Sequence, residues 1–279
     1  MLYTIAAIIG TACGGRLQVT LGFRRGYLVG GLIVLVGVLG CGGAFHIAGL
    51  LLASAIQGLG SGLLLSLAYG MVSALYPEVL RPRILSVMSG LWGVSAFLGP
   101  TLGGMFAGMG WWRGAFWSAV PLLILLGILA WYTMPSASPT RTVKRLPALR
   151  LFLLAAGVLC VASSSQVTIL GPRLALVGSA CVLVAMTFHL DSRAHHRLFP
   201  SRPLTLTTLV GTVSWMLVLI GMTTTQITVF MPLIVQILYG LSPLSAGYFT
   251  AILSFSWTAL ALISAGWQGR RVQAAIALG

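Results

Sequence analysis

Long apolar runs alternate with short polar gaps along the whole sequence. The runs are continuously apolar and do not alternate residue by residue, which is typical of membrane helices and not of barrel strands. Most runs reach the roughly 20 residues that a helix needs to cross a hydrocarbon core about 30 Å thick. The pattern predicts an all-α polytopic membrane protein, with spans near residues 1–15, 27–45, 47–75, 83–109, 114–134, 148–166, 173–190, 205–238 and 243–265.

The composition excludes the main alternatives to a membrane protein. Hydrophobic residues make up 58% of the 279 residues and charged residues only 6%, whereas a soluble domain carries about 25% charged residues. The net charge of +14 is typical of a nucleic-acid-binding protein. We reject that interpretation because the basic residues lie in short gaps between apolar runs, and we predict no nucleic-acid partner.

The distribution of basic residues predicts the orientation in the membrane. Fourteen basic residues occupy alternate gaps, and the opposite gaps hold only Arg113 and Arg173. Because basic loops stay on the cytoplasmic side, the fourteen-residue side is predicted to be cytoplasmic. Its members are Arg16, Arg24, Arg25, Arg81, Arg83, Arg141, Lys144, Arg145, Arg150, Arg193, Arg197, Arg202, Arg270 and Arg271.

This orientation places the first residue on the outer face of the membrane. The first span then runs from outside to inside, and it has neither the basic start of a signal peptide nor the full length of a span. We therefore expect the chain to be a middle piece of a longer protein, with an odd number of helices before it. The closing stretch "GRRVQAAIALG" begins another apolar run, which predicts further helices after it.

The fourth span has an unusual glycine content. The stretch "SGLWGVSAFLGPTLGGMFAG" (residues 89–108) holds six glycines and a proline, and these residues destabilise a helix in water by about 1 and 3 kcal/mol each relative to alanine. In lipid, small residues instead let helix backbones approach closely. Gly99 and Gly103 are four residues apart, as are Gly104 and Gly108, and Pro100 can bend the helix. These positions predict a groove for another helix.

The full spacing is more specific than the glycine content. "GVSAFLGPTLGG" resembles the antiporter motif in the fifth helix of the major facilitator superfamily, in which Gly-Pro is followed after two residues by Gly-Gly. Gly99, Pro100, Gly103 and Gly104 match that core.

Other segments are similar to further motifs of the same family. "GRLQVTLGFRR" resembles the loop motif after the second helix, "SAIQGLGSG" the fourth-helix motif, and "WWRGAFWSAVP" the entrance to the sixth helix. "FMPLIVQILYGLSPLSAG" resembles the pattern after the two extra central helices of fourteen-span drug:proton antiporters of the EmrB/QacA type. The matching motif residues are Gly15, Gly22, Arg24 and Arg25 in the loop, and Gln57, Gly58 and Gly60 in the fourth helix.

The resemblance implies an incomplete bundle of the major facilitator type, running from about the family's second helix to its tenth. It implies that residues 1–134 belong to the N-terminal bundle, residues 135–203 hold the two extra central helices with basic cytoplasmic loops, and residues 204–279 begin the C-terminal bundle. It also implies a plasma-membrane protein that exports lipophilic or drug-like small molecules by proton antiport, with protons as the coupling ion.

The sequence departs from the family pattern at a position tied to the latch between the two halves of the transporter and at one tied to proton coupling. The loop motif's Asp and Arg fall on Val19 and Thr20, and Ser54 occupies the place of the fourth helix's membrane Arg. No span contains Asp or Glu, although a proton-coupled carrier needs a group inside the membrane that changes its charge. A second hypothesis is therefore a truncated, non-transporting remnant, or a subunit whose partner supplies further helices.

Polar residues within the spans are the candidates for contact with a substrate. Gln226 ranks first because "TTTQIT" places an amide among hydroxyls, and Thr225 and Gln236 lie on the same span. A helix–helix hydrogen bond is the alternative role of Gln226. Gln57, Thr223, Thr224 and Thr228 complete the set.

The sequence predicts neither a cofactor nor catalysis. "HLDSRAHHR" (residues 189–197) has no common zinc-ligand spacing and carries repelling arginines, so we predict no metal site there. The sequence has no nucleophile elbow, phosphate-binding loop or paired carboxylates, so we do not expect an enzyme. The identity of the substrate and the oligomeric state stay open at this point.

Overall fold

The computed structural model describes residues 2–134, 148–164, 167–194 and 205–264. The regular elements of these ranges are all helices, because every backbone polar group in a bilayer must be bonded within its own segment. In chain order they are α1 (Leu2–Gly42), α2 (Ile47–Leu75), α3 (Arg81–Gly108), α4 (Arg113–Trp117), α5 (Ala119–Thr133), α6 (Ala148–Ser164), α7 (Leu170–Ser192), α8 (Leu209–Tyr239) and α9 (Pro243–Ser264).

The predicted fold class is confirmed. Among the described residues, six helices are long and apolar enough to cross a membrane, and shorter apolar helical stretches lie at Leu149–Val161 and Val210–Thr224. Many large apolar side chains on these helices are exposed, including Leu32, Phe152 and Leu217. Such exposure is expected where lipid covers the surface. The protein is an all-α polytopic membrane protein.

Helix α1 is a hairpin and not a single rod. Forty-one residues in one straight helix would extend about 60 Å, twice the thickness of a hydrocarbon core. Gly22 interrupts the helical conformation with φ 75° and ψ 176°. The element therefore consists of two arms, residues 2–21 and residues 23–42.

The contacts with α2 show that the two arms run in opposite directions. In the contacts of the first arm, the residue numbers on α1 and α2 rise together. In the contacts of the second arm, the residue number on α2 falls as that on α1 rises. The first set pairs Tyr3 with Gly58, Ala7 with Gly62 and Gln18 with Gly70; the second pairs Gly26 with Leu67, Gly30 with Leu64 and Gly40 with Ala53. The first arm is thus parallel to α2 and the second arm is antiparallel to it.

This hairpin refines the boundary between the first two predicted spans. The sequence pattern leaves residues 16–26 as a polar gap between spans, yet the structure is helical on both sides of Gly22. The basic residues of the gap therefore lie on helix ends and not on an extended loop. The reversal needs one residue only, because glycine adopts a positive φ without a Cβ clash.

The chain divides into two compact units. The first comprises residues 1–70 and 116–215, and the second comprises residues 71–115 and 216–279. In the first unit, α5 and α6 pack on α1, and α6 packs along α7. In the second unit, α3 packs along α9. The three-part division inferred from the family resemblance stays a prediction.

Candidate functional site

A cavity of about 670 Å³ lies among α3, α8 and α9 within the second unit. Its volume falls in the range of small-molecule sites, which is roughly 300–1,000 Å³. The lining consists of indole rings, aliphatic side chains and hydroxyl groups. The residues are Trp92, Ser95, Ala96, Leu217, Ile220, Gly221, Thr224, Ser254, Trp257 and Thr258.

The spacing of the lining residues follows from helical geometry. On α8, Leu217, Gly221 and Thr224 are four and three residues apart, and such residues share one helix face. Trp92 and Ser95 on α3 are likewise three residues apart. Each helix thus contributes one face to the cavity, and the faces meet because α3 and α9 are held together.

Hydrogen bonding and close packing hold α3 against α9. The Thr258 hydroxyl donates to the backbone carbonyl of Ser89 at 2.9 Å. Gly93 allows this approach, since a Cβ on Gly93 would lie 2.5 Å from Thr258 Oγ1. Nearer the other ends of the helices, the Thr101 and Tyr248 hydroxyl oxygens are 2.8 Å apart. The wall of the cavity between these helices is therefore fixed at several points along its length.

A second cavity, of about 540 Å³, opens between the same two helices. It is lined by Phe97, Tyr248, Ala251, Ile252, Phe255 and Ser256. The Phe97 and Tyr248 rings contact each other in a tilted arrangement, with centroids 5.2 Å apart and an angle of 36° between their planes. Its lining is more uniformly apolar than that of the first cavity, so the first cavity is the better candidate for selective binding.

The predicted substrate contacts lie on α8, and two of them directly follow in sequence a residue that lines the larger cavity. Thr225 and Gln226 follow Thr224, which lines the cavity, but their side chains are outside what the structure describes. Gln236 is half-buried further along α8 and makes a polar contact of its own. Among the candidates from the sequence whose side chains the structure describes, Thr224 lines the cavity.

Two glycines of the antiporter motif, Gly99 and Gly103, face open space among the described residues. No described atom lies within 4 Å of the Cβ position at Gly99 or Gly103, and Gly104 is half-buried. Pro100 lies on the same helix, with a side chain outside what the structure describes. Contact with α9 instead uses the neighbouring positions Gly93 and Thr101. Gly99 and Gly103 therefore do not form the observed α3–α9 contact.

The motif of the family's fourth helix lies on α2 of this chain, where its glycines let α2 pack between the two arms of α1. A Cβ on Gly58 would overlap the backbone carbonyl of Tyr3 on the first arm. A Cβ on Gly60 would lie 2.7 Å from the backbone nitrogen of Val34 on the second arm. These glycines therefore serve contacts with opposite arms.

Gln57 belongs to a small polar cluster in the same contact. The Cys41 sulfur lies 3.8 Å from Gln57 Oε1 and 3.6 Å from Ser54 Oγ, and Cys41 is fully buried. Ser54 is the residue in place of the family's membrane arginine. These contacts join two helices of the first unit.

The loop-motif residues occupy different surroundings. Gly22 forms the reversal of α1, and the Cβ position at Gly15 has no described atom within 4 Å. The Arg24 guanidinium carbon lies 4.1 Å from the ring centroid of Trp131 on α5, a cation–π contact. Arg25 is exposed. Arg24 therefore joins the start of the second arm to the end of α5.

The described part of the chain contains no group of three or more His, Cys, Asp or Glu residues that could hold a metal ion. His195 and His196 lie outside the described residues. The four described cysteines are unbridged.

Several cavity residues carry no distinctive sequence signal. Trp92 and Trp257 are tryptophans within long apolar spans, where core or lipid contact is the common role. Ser254 and Thr258 stand alone among apolar residues. What identifies them is the proximity of α3 to α9, which the sequence does not reveal.

Comparison with known proteins identifies the family. The family model of the Major Facilitator Superfamily matches residues 1–279. A Mycobacterium tuberculosis protein named as a probable multidrug-efflux transporter is 27% identical over 97% of this chain and 59% of its own length. Staphylococcus aureus multidrug efflux pump SdrM is 26% identical over 92% of this chain and 58% of its own length. Bacillus subtilis multidrug resistance protein 3 is 26% identical over 88% of this chain and 49% of its own length.

The chain therefore spans between about half and three fifths of the length of these relatives. Because the family model covers the whole chain, the chain belongs to the Major Facilitator Superfamily, a family of membrane transporters and not of enzymes.

Proposed function

We propose that the protein exports lipophilic small molecules across the cell membrane and that the cavity among α3, α8 and α9 is part of its substrate site. The observation that carries this proposal is the cavity itself, at about 670 Å³ with mainly apolar walls and a few hydroxyl groups. Apolar sites with sparse polar groups suit lipophilic ligands. The relatives named as multidrug efflux proteins support the direction of transport.

Proton antiport is the coupling that we propose, on the basis of the resemblance to drug:proton antiporters. The chain has two acids, Glu78 and Asp191, and neither lines the cavity. Glu78 is exposed and pairs with Arg81 at 3.7 Å, while Asp191 is buried and pairs with Arg150. Substrate binding and proton exchange therefore take place at different groups in this proposal.

The proposed transport cycle uses α3 as a packing surface between two bundles. In the three-part division, residues 1–134 contribute α3 to the N-terminal bundle, and residues 204–279 contribute α9 to the C-terminal bundle. The close packing of α3 on α9 supports this role. Gly99 and Gly103, open in this structure, would allow the closer helix approach needed in an alternative conformation.

The proposed orientation places the basic gaps in the cytoplasm and the first residue outside. Contacts within the first unit support the placement of the first three basic gaps on one side of the membrane. Gln18 meets Gly70 near the end of α2, and Arg24 meets Trp131 near the end of α5. The ends of these helices therefore lie on the same side as the first basic gap.

Labelling of single cysteines tests this orientation. In a variant with the four native cysteines replaced by serine or alanine, Arg25→Cys and Phe45→Cys both offer exposed sites. We expect a membrane-impermeant maleimide to label Phe45→Cys in intact cells and Arg25→Cys only after permeabilisation. The reverse pattern would overturn the orientation.

Transport by proteoliposomes tests the function. The purified chain is reconstituted with an inward or outward pH gradient, and the movement of a lipophilic fluorescent dye is followed. We expect dye movement that collapses when the gradient is dissipated by a protonophore. Movement that is insensitive to the gradient would refute proton antiport alone. The absence of movement, with folding verified by thermal unfolding, would favour the non-transporting remnant or subunit.

A further inference from the structure

Three hydroxyl groups of the cavity, those of Ser95, Thr224 and Thr258, donate their hydrogens to backbone carbonyls of the protein. The Ser95 hydroxyl donates to the backbone carbonyl of Leu91 at 2.8 Å, and the Thr258 hydroxyl donates to that of Ser89 at 2.9 Å. Thr224 donates in the same way to Ile220 within its own helix. A hydroxyl has a single hydrogen and two acceptor lone pairs. Ser95 and Thr258 therefore offer acceptor capacity to a ligand in the cavity.

The two tryptophans define the shape and the remaining polarity of the cavity. Trp92 lies on α3 and Trp257 on α9, and more than half of each side chain is exposed, at 59% and 60%. Their ring faces are therefore accessible to a planar ligand, and aromatic contacts add to the gain from burial alone. The indole N–H groups are donors. A ligand hydroxyl, which both donates and accepts, matches this lining better than an ether oxygen, which only accepts.

The described lining of the cavity carries no formal charge of either sign. Among the residues that the structure describes, no Asp, Glu, Lys, Arg or His lines it. A charged ligand would lose its hydration there without gaining an opposite charge, which is costly in an apolar environment. The buried acid Asp191 has Arg150 as its ion-pair partner and belongs to the first unit.

From these features we propose that the cavity selects uncharged aromatic molecules that donate a hydrogen bond, with Ser95 as an acceptor and Trp92 and Trp257 as stacking surfaces. This inference rests on the proposed function, since it names the substrate class of the same cavity. Phenols, anilines and N-unsubstituted indoles belong to this class, and quaternary ammonium compounds do not.

Three naphthalene probes test the selectivity directly. The protein is placed in lipid nanodiscs, and the binding of 2-naphthol, 2-methoxynaphthalene and 2-naphthyltrimethylammonium is measured by equilibrium dialysis, with empty nanodiscs subtracted to remove partitioning into lipid. We expect 2-naphthol to bind about tenfold more tightly than 2-methoxynaphthalene, because the ether cannot donate to Ser95. We expect no saturable binding of the ammonium probe.

A matched pair of serine variants assigns the acceptor. Ser95→Ala removes a hydroxyl at the cavity, and Ser89→Ala removes one on the same helix that does not line the cavity. Both native hydroxyls bond only their own helix in the contacts observed, to Leu91 and Leu85. We expect Ser95→Ala to weaken 2-naphthol binding about fivefold and to leave 2-methoxynaphthalene unchanged. Ser89→Ala is expected to change neither.

The outcomes separate this inference from the proposed function. Equal binding of naphthol and its methyl ether, or tightest binding of the ammonium probe, would overturn the substrate class and leave a small-molecule site in place. Equal effects of the two serine variants would overturn the assignment of Ser95. The absence of saturable binding for all three probes, together with no dye transport, would overturn both proposals.

Discussion

The Thr258 hydroxyl on α9 donates a hydrogen bond to the Ser89 carbonyl on α3, which lies 169 residues earlier in the chain and 2.9 Å away. Thr258 is buried, with 7% of its surface exposed. The bond closes one end of the contact that builds the cavity wall. The donor is a side chain and the acceptor is a backbone carbonyl. The sequence therefore contains no pair of complementary side chains that would predict this bond.

Replacing Thr258 by valine removes this bond and keeps the side-chain shape. We expect the α3–α9 contact to lose about 0.6–1 kcal/mol, the typical size of such a bond between membrane helices. The apparent Tm of the detergent-solubilised protein should fall by a few degrees. Thr223→Val is the control, because the Thr223 hydroxyl bonds only carbonyls of its own helix in the observed contacts. An equal fall for both variants would contradict the interhelical role of Thr258.

Gly93 is required for the same contact. A Cβ at Gly93 would lie 2.5 Å from Thr258 Oγ1 and 3.0 Å from Thr258 Cβ, so Gly93→Ala forces the helices apart or displaces the threonine. We expect a lower apparent Tm and weaker probe binding in the cavity. Gly90→Ala lies on the same helix with nothing within 4 Å of its Cβ position. It should retain or raise the Tm, since alanine is the better helix former by about 1 kcal/mol.

A substitution at Gly103 is expected to impair transport without impairing folding. Its Cβ position is open in this structure, so Gly103→Leu should fold and be expressed normally. We expect transport to be abolished, because leucine would block close approach of another helix to the motif face during the cycle. Gly127→Leu on α5, also open at Cβ, is the control and should transport normally. Unimpaired transport by Gly103→Leu in the proteoliposome assay would refute the role of the motif.

The reversal of α1 makes Gly22 sensitive to any side chain. Its φ of 75° and ψ of 176° lie in a backbone region that is essentially restricted to glycine and costs another residue about 1–3 kcal/mol. We expect Gly22→Ala to lower the yield of folded protein and its apparent Tm. Gly15→Ala tests the other glycine of the loop motif, which is helical and has an open Cβ position, and it should be neutral or stabilising. Similar losses for both would show that the motif glycines act in some other way.

The ion pair between Arg150 and Asp191 joins α6 to α7. The two side chains are 15% and 3% exposed, so removing either partner alone leaves a largely buried charge. We expect Asp191→Ala to lower stability by about 3–5 kcal/mol and the double variant Arg150→Ala/Asp191→Ala to lower it less than the sum of the two single changes. Thermal unfolding of the parent protein, the two single variants and the double variant gives the coupling free energy between Arg150 and Asp191. Simple additivity would contradict a direct interaction.

The sequence by itself determined the class of protein and the helices. A chain with uninterrupted apolar runs and only 6% charged residues is suited to a bilayer and not to water. In a bilayer such runs form helices, because a helix bonds its own backbone polar groups. The described residues of each predicted span are accordingly mainly helical, with the first two spans on the arms of α1 and the fifth divided between α4 and α5. The Gly-Pro and Gly-Gly motif identified the family for a related reason, because small-residue spacing controls how closely helices approach.

The tertiary structure decided which faces of those helices meet. In lipid, all faces of an apolar helix look alike in hydropathy, so the sequence does not show that Trp92, Ser95, Trp257 and Thr258 share one cavity. Small local features settle the matter: the reversal at Gly22, the space left by Gly93, and a hydroxyl that reaches a backbone carbonyl on another helix. These features depend on distances between residues far apart in sequence, and no local pattern records such distances.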